Sequence, residues 1–116
     1  MSDFAFPREL RLLTPEQYQA VFQQAKRAGS AHITVLAKQN GQQHPRLGLA
    51  VPKKQIKTAV QRNRIKRLAR ESFRQIPLPC KDFVVIAKKS AQDLTNEELH
   101  LLFGKLWRRL SHSNHE

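Results

Sequence analysis

The sequence has little of what a self-sufficient enzyme needs. Acidic residues number 9 against 21 lysines and arginines. They are scattered, and no cluster of carboxylates or histidines has the spacing that metal or acid–base chemistry requires. No nucleophile–base constellation is visible either. His32, His44, His100, His112 and His115 share no metal-ligand spacing with other donors, so no metal site is expected in the protein. There is one cysteine, Cys80, which excludes an intrachain disulfide and fits a reducing, cytoplasmic setting. It follows Pro79 in an expected loop and reads as an incidental thiol. Long hydrophobic runs are missing too. Phe83 to Ala87 is far too short to span a membrane, and the N-terminus lacks the basic-then-apolar layout of a signal peptide. No membrane partner is expected. Aromatic residues are few, with six Phe, one Trp and one Tyr, so the core must be modest.

What the chain has in excess is positive charge. Its 116 residues are expected to form one domain, 1–116, with 111–116 as a flexible tail. The net charge is +12, and such an excess repels itself in a compact state. A polyanionic partner accounts for it, with nucleic acid ahead of an anionic membrane surface and of charge kept for solubility alone.

The patterning predicts helix, strands, helix, strand, helix, an α+β domain with helices packed on a small sheet. Thr14-Pro15-Glu16-Gln17 is a capping box with Pro at the first helical position, and Leu13 can staple onto Tyr18. That helix is expected to reach about Lys26, with Gly29 marking its end. Residues 32–37 and 46–51 read as strands, joined across Asn40-Gly41 and His44-Pro45 into an antiparallel hairpin. Residues 58–76 form a second helix with Ile65, Leu68, Ala69, Ser72, Phe73 and Ile76 on one stripe, stopped by Pro77 and Pro79. Phe83 to Ala87 reads as a central strand covered on both faces. A second capping box, Thr95 to Glu98, opens a last helix through Leu99, Leu102, Phe103, Leu106 and Leu110.

Between Arg46 and Arg74 stand ten Lys or Arg and one acid, Glu71. On the second helix Arg62, Lys66 and Arg70 stack at i, i+4, i+8 along one flank of the apolar stripe. Arg67 and Arg74 lie nearly opposite the core, and Arg64 returns on the other flank. Arginine's planar fork can hold a phosphate through two hydrogen bonds, and cations one helical turn apart can follow successive phosphates. Asn63 can reach a base edge or a 2′-hydroxyl. The alternatives are a solvated helix face and a membrane-surface helix. The first is disfavoured by like charges at i, i+4 with almost no acids. The second is disfavoured because a sheet is available to cover the apolar stripe. If the strand continues past Val51-Pro52, Lys53 and Lys54 point to opposite sides, and at least one can join these cations. Trp107 with Lys105, Arg108 and Arg109 offers a secondary RNA patch, against the simpler reading of a packed tryptophan ringed by solvated cations.

These residues together resemble the bacterial ribonuclease P protein family. The resemblance is carried by Arg46-Leu47-Gly48-Leu49-Ala50-Val51, Lys53-Lys54, Ala59, Arg62 to Arg74 and Asp82 to Lys89. Phe6-Pro7-Arg8-Glu9-Leu10-Arg11-Leu12-Leu13 is similar to the gammaproteobacterial branch. It implies a mainly antiparallel sheet, order α-β-β(-β)-α-β-α, with a left-handed βαβ crossover through the basic helix. It also implies a ribonucleoprotein enzyme whose RNA subunit carries the catalytic site and holds Mg²⁺, and which cuts the 5′ leader from precursor tRNA. Carried onto this chain, the RNA-subunit contacts are Lys53, Lys54, Arg62, Asn63, Arg64 and Arg67. The leader contacts are Tyr18, Phe22, Lys66 and Arg70, in a cleft between the sheet and the first helix. No catalytic residue is implied in the protein. Two departures stand out. Pro52 occupies a position where the family commonly has a small polar residue. The first long strand offers only Ile33, Val35 and Leu36 where many members place an aromatic facing the cleft. The competing readings are a plain RNA-binding module, such as a ribosomal or chaperone-like protein, and a metal-dependent nuclease acting alone.

Overall fold

The computed structural model describes residues 10–12 and 14–112. Both capping boxes form. Thr14 Oγ1 accepts from the Gln17 N–H while Gln17 Oε1 accepts from the Thr14 N–H, both at 3.2 Å, and Pro15 opens α1, Pro15–Gln24. Thr95 and Glu98 make the same reciprocal pair at 3.1 and 2.8 Å before α3, Asn96–His112. Each box satisfies backbone donors that a helix start otherwise leaves orphaned. The Leu13 staple and residues 113–116 lie outside the described residues. Ser111 and His112 do not: the helix continues through them, and the Ser111 hydroxyl donates to the Trp107 carbonyl at 2.9 Å.

α1 ends earlier than expected. Ala25 is extended, and Lys26–Gly29 forms β1, so Gly29 closes a strand rather than a helix. Four residues with two cations and one buried side chain, Ala28, carry too little alternation to announce a strand. The other strands are β2 (Ile33–Gln39), β3 (Arg46–Ala50) and β4 (Lys81–Ala87), with α2 at Ala59–Gln75. A short 3-10 turn, Lys89–Asp93, leads into α3.

The expected β2–β3 hairpin is corrected by the sheet order, β1-β2-β4-β3. β4 lies between them, antiparallel to β2 and parallel to β3, with Leu36 opposite Val84 and Gly48 beside Val84. Hydrophobic periodicity says which residues face inward, not which strand lies next door. β4 is apolar on both faces and is therefore the strand with most to gain from two neighbours. The turn itself was legible. Gly41 has φ 67°, and Asn40 Nδ2 donates to the His44 carbonyl and to Asp82 Oδ1. Asp82 also takes a two-pronged ion pair from Arg46, at 2.7 and 2.8 Å, which holds that guanidinium above its ordinary pKa. The loop and the start of β3 are thereby fixed to β4.

Alternation divides the sheet's faces. Ile33, Val35, Ala37, Leu47, Phe83 and Val85 join the cluster built with α2 and α3. Val84 packs with Val21 and Leu12 on the α1 face. At the centre of the larger cluster the rings of Phe73, Phe83 and Trp107 meet edge to face, with centroids 5.7–6.0 Å apart. Trp107 is fully buried and its indole N–H donates to Ser72 Oγ, which joins α3 to α2.

Lys81 opens β4 at 4% exposure. Burial, and secondarily the charge of Lys26, push its ammonium below the usual lysine range. The unfolded chain therefore holds this proton more tightly than the folded one. Between the depressed folded value and the ordinary value of 10.5, unfolding takes up a proton, so stability rises with pH across that window. Below the window the penalty is present in full. Lys81→Met is expected to stabilise at neutral pH, where the desolvation penalty on the ammonium is present in full. It should also abolish the alkaline rise, as read by urea unfolding from neutral to alkaline pH.

Candidate nucleic-acid interface

α2 positions its cations by periodicity. Ile65, Leu68, Ala69, Ser72 and Phe73 are buried against the sheet and α3. The opposite arc carries Lys66, Arg67, Arg70, Glu71 and Arg74. It faces an open groove of ≈ 480 Å³ beside β3, whose remaining walls include Arg11, Leu12, Tyr18, Leu47 and Leu49. Five cations and one carboxylate thus line it. The chain from Leu10 to Leu12 forms the rim, because Arg11 bridges to Leu47 and the Leu12 N–H donates to the Leu47 carbonyl at 3.0 Å.

Tyr18 is set by a close approach. Its hydroxyl accepts from the Leu49 N–H at 3.2 Å, and its ring lies on the backbone of Gly48. A Cβ at Gly48 would fall 2.7 and 2.8 Å from ring atoms Cε2 and Cζ. Gly48→Ala is therefore expected to displace Tyr18 at a cost of about 1–3 kcal/mol, the usual range for overpacking. Thermal unfolding and tyrosine fluorescence would register the change.

The groove brings together Tyr18, Lys66 and Arg70 from the expected leader set. It also gathers Arg67, which the resemblance placed with Arg64 among the RNA-subunit contacts. Arg67 Nε stands 4.0 Å from Glu71 Oε2, one turn on. Phe22 does not line the groove. It lies a turn beyond Tyr18 on α1 and is 50% exposed. Arg11 and Arg74 also line the groove and were not among the expected contacts. Arg74 continues the 66, 70, 74 row and was legible in that spacing. Arg11 reaches the groove through strand pairing, which nothing in the sequence marks.

Arg62 and Arg64 point elsewhere. Arg62 Nη1 donates to the carbonyls of Ile56 and Lys57, at 3.0 and 2.9 Å, and braces the turn before α2. Arg64 leans toward α3, donating to Asn96 Oδ1 at 2.7 Å and to the Gln92 carbonyl at 3.1 Å. Asn63 is exposed between them. Lys53 and Lys54 are exposed on a turn rather than on an extended strand. That turn is closed by the N–H groups of Gln55 and Ile56 donating to the Pro52 carbonyl. Pro52 thus serves the turn as an acceptor, a role its missing N–H does not impair.

The family model described as Ribonuclease P matches residues 6–111. The chain is 75% identical over 113 residues to the "Ribonuclease P protein component" of Vibrio vulnificus (strain YJ016), covering 96% of each chain. The chain belongs to the ribonuclease P protein family. The protein component from Aliivibrio salmonicida (strain LFI1238) is 68% identical over 111 residues, covering 94% of this chain and 95% of its own. Among solved structures, the RNase P protein of Staphylococcus aureus superposes with a TM-score of 0.81 at 28% identity, covering 87% of this chain and 94% of that one. That of Thermotoga maritima gives 0.67 at 30%, covering 82% and 96%. The family's proteins are subunits of the ribonuclease P enzyme, so the α+β fold and the basic helix belong to a ribonucleoprotein assembly. The missing strand aromatic also has a location. Ile33 and Val35 are buried in the larger core, whereas Leu36 lies on the α1 face beside Ile86 and Ala50, all partly buried. Leu36 does not line the groove beside β3. No helix among the described residues is long and apolar enough to cross a membrane.

Proposed function

We propose that the chain is the ribonuclease P protein subunit, that it binds the catalytic RNA, and that it holds the 5′ leader of precursor tRNA during endonucleolytic removal of that leader. The observation that carries this reading is the groove that sets Lys66, Arg67, Arg70, Arg74 and Arg11 opposite the Tyr18 ring. Cations that track a backbone beside an aromatic suit an unpaired strand of any sequence. Tyr18, Lys66, Arg70 and, a turn away, the exposed Phe22 take the leader. Lys53, Lys54, Arg62, Asn63 and Arg64 contact the RNA subunit. For Arg62 and Arg64 the contact is made with guanidinium groups already anchored on protein carbonyls, which limits the rotamer freedom lost on binding. Arg67 lies where the two surfaces meet.

Mg²⁺ in this reading is held by the RNA subunit. Among the described residues no group of three or more His, Cys, Asp or Glu side chains is placed to hold an ion. The protein works by positioning substrate and adding positive potential. The setting is the bacterial cytoplasm.

The test compares affinities of the assembled complex for precursor and mature tRNA. The intact protein should favour the precursor. Phe22→Ala should lose about tenfold of that preference, within the range for one stacked base, with mature-tRNA affinity unchanged. Equal losses for both tRNAs would contradict the leader assignment.

A further inference from the structure

The two edges of the sheet, β3 and β1, are both flanked by cations. At the β1 edge an open groove of ≈ 460 Å³ is lined by Ser30, Leu102, Lys105, Leu106, Arg108 and Arg109. Nothing in the leader or RNA-subunit surfaces uses it. Lys105, Arg108 and Arg109 follow i, i+3, i+4 and so share one face of α3. The acids of α3, Glu97 and Glu98, are confined to its first turn, and the two ion pairs seen among the described residues lie elsewhere. The helix dipole favours a cation in the last turn of α3, which of these three holds only Arg109. It does not account for their gathering along a groove.

We infer that this groove binds a second stretch of RNA backbone, so that the protein clamps RNA at both edges of its sheet. The edge itself disfavours a peptide strand. Arg109 Nη1 donates to the Gly29 carbonyl at 3.3 Å, and Lys88 Nζ donates to the Ser30 carbonyl at 2.7 Å. The Gly29 carbonyl at the end of β1 is thereby withheld from an added β-strand. Half-buried Leu102 floors the groove and suits a ribose face. Trp107 is fully buried, so the site has no ring for base stacking. Recognition is therefore of phosphates, independent of base identity and steeply salt-dependent.

The test is an NMR titration of the isotopically labelled full chain with oligouridylate of about five nucleotides, within the span of one small single-strand site. Two sets of amides should shift, one around Leu47 and residues 66–74, the other around 101–109. The variant carrying Lys105→Gln and Arg108→Gln should lose the second set and keep the first. Arg109 is left in place because it holds the Gly29 carbonyl. In the intact protein the second set should fade as salt rises, with a slope of roughly 0.7 per phosphate contact on a single strand. A variant carrying Lys66→Gln and Arg70→Gln should do the converse, and loss of neither set there would overturn the leader groove alone. The second-site inference is overturned if oligouridylate leaves residues 101–109 unshifted. It is also overturned if the α3 variant keeps both sets, or if polyglutamate shifts that face where RNA does not.

Discussion

Removing the charges of Lys66 and Arg70 together is expected to cost the assembled complex about 150-fold in affinity for precursor tRNA, the low end for two charge-assisted hydrogen bonds. Affinity for mature tRNA should stay near that of the intact protein. Both side chains are half-exposed on the groove arc of α2, away from the buried stripe, so the fold should tolerate their loss. The effect should shrink as salt rises, because each phosphate contact releases counterions. Equilibrium binding of both tRNAs across a salt series reads all three expectations. Lysine at position 70 should restore only part of the effect, since an ammonium lacks the planar fork of arginine.

The largest stability effect is expected at Trp107. Trp107→Ala should lower the unfolding free energy by about 3–5 kcal/mol, the range for deleting a buried large aromatic. Three aromatic contacts disappear and the Ser72 hydroxyl loses its partner inside the core. Because total stability of a domain this size is about 5–15 kcal/mol, the variant sits near its unfolding threshold. Urea unfolding measures the loss directly. Functionally, α2 should lose its support against α3, so RNA affinity should fall although Trp107 touches no groove. Trp107→Phe should recover most of the packing but leave Ser72 unpartnered, and should fall between the two.

The parts that local chemistry determines were legible in the sequence. Thr14 with Gln17, and Thr95 with Glu98, mark helix starts through their own hydrogen bonds. The apolar stripe of α2 shows which arc holds the cations, and Phe83 to Ala87 reads as a strand buried on both sides. The parts that depend on long-range pairing were not legible. β3 pairs with β4 across a whole helix, so adjacency in sequence suggested the wrong neighbour for β2. Arg67 looked remote from the leader surface because periodicity fixes direction about a helix axis. It does not fix what Arg11 and Tyr18 bring to the other side. The anchoring of Arg62 and Arg64 on backbone carbonyls has no sequence signature either, since any arginine near a loop can reach one. Gly48 is an instructive case. As a glycine within a strand it signals close approach, but only the fold shows that the approaching group is Tyr18.

The central claim is that the cation-rich groove serves an RNA enzyme rather than acting alone. Its most direct test is cleavage of precursor tRNA by the catalytic RNA subunit at low Mg²⁺, with and without this protein. The protein should raise the cleavage rate, the purified protein alone should cut nothing, and the gain should fall when Lys66 and Arg70 are neutralised. An unchanged rate on adding the protein, or cleavage by the protein without RNA, would contradict it.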